Sequence, residues 1–333
     1  MSLDPAVAAV RPCVRRPLVD LPPGATVLVA CSGGADSLAL VSAAVFEARK
    51  PGLRVVGATV DHALQKRSAE RADAVVTQMA GLGVDETVSA RVEVAAEGIG
   101  PEAAARAARY AVLTEMAERF DAAVVLLGHT RDDQAETVLL GLARGSGGRS
   151  IAGMRRSFEV FRRPLLDVSR ADTVTACRAE GIEFWADPHN EDERFTRVRV
   201  RRAVMPVLEN ELGPGVAVAL ARTADLLRPD MEYLDELASE ALARVAVAPD
   251  TSDVFAALDA VAVADLPHPL RGRALRLAAL AAGASAAELF AVHVSALTGL
   301  VTGEVQGQVQ LPGHVTAYRD RDHLKFRRTP VAG

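Results

Sequence analysis

Ser32-Gly33-Gly34-Ala35-Asp36-Ser37 lies between an apolar run at 25–30 and an amphipathic stretch at 36–48. The run predicts a buried strand and the stretch a helix, so the hexapeptide is a strand-to-helix turn. Two successive glycines let backbone approach an anion closely, and the first turn of the helix offers it unpaired N–H groups. The hydroxyls of Ser32 and Ser37 add donors, and together residues 32–37 predict a phosphate cradle. It is not a Walker A loop, which requires GxxxxGK[ST], because no lysine is placed to reach a terminal phosphate. Taken alone, the string also fits an ordinary turn with Asp36 or Ser37 capping the helix.

Outward from this turn the same alternation recurs. Strands are expected at 54–60, 87–94 and 122–127, with helices at 68–81, 101–119 and 132–143 between and after them. This βαβ rhythm predicts an α/β fold with a doubly wound, mainly parallel sheet, in which ligands sit beyond the carboxyl ends of the strands. Gly145-Ser146-Gly147-Gly148 is a break, followed by a short strand at 158–162 and a helix at 169–180 ended by Gly181. A long helical stretch from 204 to 245 is interrupted near Gly213-Pro214-Gly215 and Pro229. Residues 246–264 are less clearly patterned, and the domain boundary is placed there. Two Ala/Leu-rich helices follow, then an alternation broken by Pro312-Gly313 and Arg321-Asp322 that reads as a hairpin or meander. The expected division is an N-terminal segment 1–24, a nucleotide-binding domain 25–210, a helical linker 211–250 and a small α+β domain 251–330.

Composition agrees with two domains. The chain has 333 residues, half of them hydrophobic and only 4% aromatic, which suits helices packed on buried parallel strands. A formal net charge of −5 excludes a generic nucleic-acid coat protein, so any RNA surface must be a local patch. One candidate is Arg194, Arg197, Arg199, Arg201 and Arg202, five arginines in nine residues. In an extended segment Arg197, Arg199 and Arg201 would project one way as a phosphate-contact row; a solvated face is the plainer reading. No apolar stretch approaches a membrane span and the first residues hold no signal core, so no membrane and a cytoplasmic location are expected. Cys13, Cys31 and Cys177 lie too far apart for a disulfide framework, a zinc site or an iron–sulfur site.

Three further strings fall where a doubly wound sheet places its ligands. Val60-Asp61-His62 follows the second strand. Glu102, Arg106 and Arg109 recur along one face of the helix at 101–119, where Glu102 and Arg106 could simply pair. Gly128-His129-Thr130-Arg131-Asp132-Asp133-Gln134-Ala135-Glu136-Thr137 spans another strand-to-helix junction. Capping alone would explain Asp132 and Asp133. With His129 and Glu136 they also make an imidazole and three carboxylates, enough to coordinate a metal and to hold or deprotonate an amine.

SGGxDS after the first strand resembles the signature of the PP-loop family, the N-type ATP pyrophosphatases. The resemblance implies an adenine nucleotide α-hydrolase-like domain that cleaves ATP between the α and β phosphates and transfers AMP to a carbonyl oxygen. Pyrophosphate would sit on Ser32, Gly33, Gly34, Ala35, Asp36 and Ser37, and Asp61 and His62 would line the adenosine pocket. GHxxDDQAET at 128–137 is similar to the lysidine synthase and tRNA thiolase branch. G-x-E-x-x-A-R-x-x-R-Y at 100–110, Leu142-Ala143-Arg144-Gly145-Ser146-Gly147, Arg163-Pro164-Leu165-Leu166 and Asp187-Pro188-His189-Asn190 resemble tRNA(Ile)-lysidine synthases in particular. Leu311-Pro312-Gly313 is similar to the small substrate domain of that family.

What this resemblance implies is ATP-dependent ligation of free L-lysine to C2 of the wobble cytidine in tRNA(Ile) with a CAU anticodon. The reaction would pass through an adenylated cytidine and use ATP and Mg²⁺. Asp36, His129, Asp132, Asp133 and Glu136 would be catalytic, with Asp36 and Asp132 at the metal. Glu102, Arg106, Arg109, Arg144, Arg163, Asn190, Arg197, Arg199 and Arg201 would bind the substrate or the tRNA. Which of Asp132, Asp133 or Glu136 orients lysine and takes its proton is open at this point, and a homodimer is kept open. The alternatives are a tRNA thiolase, against which the cysteine count speaks, and a non-catalytic ATP-sensing module.

Overall fold

In a computed structural model the chain is described at residues 3–61, 67–92, 101–145, 147–185, 192–249, 251, 253–286 and 288–329. It divides into two compact units, Met1–Arg144 with Gly153–Asp225, and Gly145–Ala152 with Leu226–Gly333. Among the described residues no helix is long and apolar enough to cross a membrane.

The first unit runs α1 (Pro5–Arg15), β1 (Thr26–Ala30), α2 (Ala35–Arg49), β2 (Arg54–Asp61), α3 (Ser68–Gly81), β3 (Glu86–Arg91), α4 (Pro101–Arg119), β4 (Ala122–Leu126) and α5 (Arg131–Ala143). After α6 (Gly148–Ile151) of the second unit come β5 (Ser157–Phe158), β6 (Phe161–Arg162), α7 (Arg170–Ala179), α8 (Thr196–Arg199) and α9 (Met205–Glu211). The strand order is β3-β2-β1-β4-β6-β5, with only the β5–β6 pairing antiparallel. The order turns outward in both directions from β1, so a crevice opens beyond β1 and β4.

Period-2 alternation divides the strand residues between two cores. Val27 and Val29 face one with Leu38, Val41 and Met79, while Leu28 and Val125 face the other with Leu113, Met116 and Phe161. Residues 1–24, a bare segment by sequence pattern, instead contribute α1 to the first core. Asp4 accepts the Ala6 N–H at 2.8 Å to start the helix. Ala6, Val7, Val10, Cys13 and Val14 then form a buried stripe packed on α2 and α7. Arg11 pairs with Glu180 at 2.8 Å and Arg15 with Glu47 at 2.7 Å.

Helix α10 (Val216–Val245) runs unbroken through Pro229, contrary to the interruption expected there. In the second unit, β7 (Ala246–Val247), β8 (Val254–Asp259) and α11 (Ala260–Ala264) fill the stretch that sequence pattern left blank. They are followed by α12 (His268–Ala281), α13 (Ala291–Thr302), β9 (Gln308–Leu311), β10 (Val315–Asp320) and β11 (His323–Arg328). The meander expected from the turns is there, enlarged to an antiparallel sheet of order β7-β8-β11-β10-β9. Leu258, Val315, Ala317, Leu324 and Phe326 pack with Leu275, Leu297 and Leu300 into its core.

Candidate active site

A cleft of about 580 Å³ opens beyond the carboxyl ends of β1, β2 and β4. That is within the ~300–1,000 Å³ usual for small-molecule sites. One wall is apolar, made by Ala30, Ala58, Val60, Leu113 and Leu127; the floor is the loop at 32–37. Six arginines (Arg106, Arg109, Arg170, Arg197, Arg201, Arg202) and two aspartates (Asp36, Asp133) line it, a balance suited to a polyanion.

The loop is built to leave its amides free. Gly33 has φ of +81°, where a side chain would be strained. Gly34 caps α2 without a side-chain hydrogen bond, so the N–H groups of the first turn keep their capacity for a ligand. The expectation for Ser37 needs correction. Its hydroxyl donates to Gly34 O at 2.9 Å and accepts the Ser32 N–H at 3.1 Å, so its proton is engaged within the loop, which it braces from beneath. Trp185 N–H adds a brace on Gly33 O at 3.0 Å. Gly128 is required by closeness: a Cβ there would meet Ser37 Cα at 3.2 Å and Asp36 O at 3.3 Å.

Asp36, in the first turn of α2, accepts from Arg170 Nε at 3.2 Å and from the Thr173 hydroxyl. Burial raises its pKa, with Arg170 and Thr173 offsetting part of that. At the head of α5, Thr130 gives its N–H (2.9 Å) and hydroxyl (3.1 Å) to Asp133 Oδ2. Asp133 Oδ1 takes Arg170 Nη2 at 2.9 Å. Burial alone would raise Asp133, but Arg170, the Thr130 amide, His129 and Arg201 outweigh it and hold the carboxyl below its usual range. Glu136 is 1% exposed and its pKa is raised by burial, only partly countered by Arg201. Asp132 caps α7 instead, its Oδ2 accepting the Arg170 N–H at 2.8 Å. His129 Nδ1 is buried and has no hydrogen-bond partner among the described residues. Burial first, then Arg163, Arg106 and Arg109, drive its pKa from 6.5 to about 3 against the pull of Asp133, so the imidazole is neutral.

The arginine strip departs from expectation. Residues 196–199 are α-helical and 200–204 form a π-helical turn, so no extended row exists. Helical spacing turns Arg197 and Arg201 inward together: Arg197 Nε lies 3.5 Å from Glu136 Oε2 and Arg201 Nε 2.6 Å from Oε1. Arg199 donates to Glu193 O and Arg194 O at 2.7 and 3.0 Å. Arg163 is buried, bonded to the Tyr110 hydroxyl at 2.8 Å and set over the Phe158 ring at 4.6 Å, so it stabilises the cleft wall and presents no free surface to RNA. Arg106 and Arg109 are exposed on α4 and line the cleft. Arg144 is exposed at the end of α5, outside the cleft lining.

Asp61 is buried at the end of β2 with Arg91 Nε 3.9 Å away, and the cleft is lined by Ala58 and Val60 on the alternate face of the strand. His62, Asn190 and the side chain of Glu102 lie outside the described residues. Sequence reasoning missed Arg170, Thr173 and Tyr110. Arg170 carried one signal, a cation in the first turn of a helix, where the macrodipole disfavours it. The three thiols are buried, with the pKa raised by burial in each case and Cys177 pushed to about 12.

A parallel sheet whose first strand ends in this glycine loop is the architecture of the PP-loop domain, and the family model described by that name matches residues 13–208. A second, the TilS substrate binding domain, matches residues 258–324. The tRNA(Ile)-lysidine synthase of Thermobifida fusca is 54% identical, with 96% of each chain covered. That of Streptomyces coelicolor is 46% identical over 98% of this chain and 100% of the relative. The U34-tRNA thiolase NcsA of Methanococcus maripaludis, solved with its [4Fe-4S] cluster, superposes with a TM-score of 0.57 at 17% identity. It covers 67% of this chain and 80% of its own, a likeness of fold. The chain belongs to the tRNA(Ile)-lysidine synthase family.

Proposed function

We propose that this cleft adenylates the 2-carbonyl oxygen of the wobble cytidine of tRNA(Ile) and that free L-lysine then displaces AMP through its ε-amine. The observation that carries the reading is that Asp36, Asp133 and His129 line the cleft beside the phosphate loop, with Asp132 and Glu136 joined to them through Arg170, on a chain of this family. The loop amides and the α2 N-terminus take the departing pyrophosphate. The apolar wall takes the adenine, and Arg106 and Arg109 take the RNA backbone.

Mg²⁺ suits the donors present, since it takes one or two carboxylates together with phosphate oxygens and water; Asp36 is the carboxylate on the loop. Held there, the ion would offset charge developing on the phosphates. Capping of α7 by Asp132 supports a positioning role for that residue. The attacking amine must be uncharged. Asp133 and Glu136 are pushed in opposite directions, which supports Asp133 as the permanently ionised anchor of the ammonium and Glu136 as its proton acceptor. Neutral His129 contributes a hydrogen-bonding nitrogen without adding charge. Turnover in the cytoplasm follows from the substrates. The test is product analysis: tRNA-dependent turnover yields AMP and pyrophosphate, and ADP as the main product contradicts the reading.

A further inference from the structure

Arg170 meets every carboxylate that the motifs bring to the site. Its N–H donates to Asp132 Oδ2 at 2.8 Å, Nε to Asp36 Oδ2 at 3.2 Å and Nη2 to Asp133 Oδ1 at 2.9 Å, and Nη1 lies 3.8 Å from Glu136 Oε1. These carboxylates belong to α2 and α5, whereas Arg170 heads α7. A guanidinium in the first turn faces the positive end of its own helix, so the anions around it, and no local preference, keep it there. The planar fork lets one group bridge several carboxylates at once.

The bridge spans two subsites. Asp36 stands on the phosphate loop, and Asp133 and Glu136 stand on the helix that follows β4. On the reading proposed above, on which this inference rests, the first serves the nucleotide and the second the lysine ammonium. We infer that Arg170 occupies the ammonium subsite until nucleotide arrives, and so couples ATP binding to lysine binding. In the empty site the guanidinium is the closest cation to Asp133, at 2.9 Å against 3.4 Å for Arg201, while Glu136 is paired chiefly by Arg201. A triphosphate on the loop, still net negative with one Mg²⁺ bound, adds negative charge beside Asp36 and draws the guanidinium toward it. Asp133 is then left with the longer Arg201 contact at 3.4 Å, and the ε-ammonium of lysine supplies the close positive charge that it has lost. Lysine binds weakly before ATP and tightly after it. Arg170 acts through the carboxylates, as a positioning residue.

A purely structural role predicts that losing Arg170 weakens every ligand. Displacement predicts the opposite for lysine in the absence of nucleotide. The experiment is equilibrium dialysis of radiolabelled L-lysine against the full chain, with and without Mg²⁺ and α,β-methylene ATP. In the wild type the analogue tightens lysine binding about 10-fold, within the usual range of coupling between sites. In Arg170→Gln the affinity without nucleotide rises by about 3-fold or more and the coupling shrinks below about 3-fold. Arg170→Lys keeps one compact charge that cannot bridge Asp36 and Asp133, and it replaces Arg170→Gln should the latter not fold; its coupling falls below about half the wild-type factor. Undiminished coupling in either folded variant, or no coupling in the wild type, overturns the inference while leaving lysine as the substrate. Absence of lysine binding by the wild type under both conditions overturns the proposed function together with it.

Discussion

Arg201 closes on Glu136 in a bidentate pair, Nε to Oε1 at 2.6 Å and Nη2 to Oε2 at 3.0 Å, over a carboxylate almost wholly removed from water. The two residues are 65 positions apart and join the π-helical turn after α8 to α5. Removing the cation leaves a buried carboxylate undercompensated, which typically costs about 3–5 kcal/mol when no other partner remains. Arg197 and Arg170 remain at 3.5 and 3.8 Å, so Arg201→Ala is expected to cost about 2 kcal/mol. Adding Glu136→Gln to Arg201→Ala recovers more than half of that loss in urea denaturation midpoints. Additive losses would mean that the pair is not coupled.

The pairing explains what sequence could and could not give. Alternation of apolar runs and amphipathic stretches is local, and it yielded the parallel sheet and the position of the phosphate loop. Arg-x-Arg-x-Arg at 197–201 is local too, but it fits a strand face and a helix alike. Only the buried Glu136 decides that Arg197 and Arg201 turn inward at helical spacing. Arg170 is 134 positions from Asp36, beyond any periodicity, and its helix is aimed by packing on α1 and α2. The α1 stripe itself was legible in principle, as buried positions 6, 7, 10, 13 and 14 follow helical spacing, but Pro5 and Pro12 obscure it.

His129 makes stability depend on pH. Its folded pKa of about 3 lies below the unfolded value of 6.5, so between those values the unfolded chain holds a proton that the folded chain lacks. Stability from this group is therefore full above 6.5 and is lost as pH falls toward 3. The slope approaches about 1.4 kcal/mol per pH unit at most. His129→Gln should flatten the wild-type decline between pH 6 and 4 by about one proton's worth. Parallel curves for the two proteins would show that the imidazole titrates normally.

Arg106 and Arg109 are the exposed cations of the cleft mouth carried by α4. The double substitution Arg106→Ala/Arg109→Ala is expected to weaken tRNA binding and reduce the slope of log affinity against log salt by about 2. Affinity for the ATP analogue should hardly change. An unaltered salt slope would assign both side chains to a solvated face.

The most direct measurement is incubation of the chain with ATP, Mg²⁺, radiolabelled lysine and unmodified tRNA(Ile) bearing a CAU anticodon, with label scored in RNA. Label should enter the tRNA in step with AMP release, and no label should enter when the wobble cytidine is replaced by uridine. ATP turnover without label in the RNA, or label entering regardless of the wobble base, would contradict lysine ligation at this site.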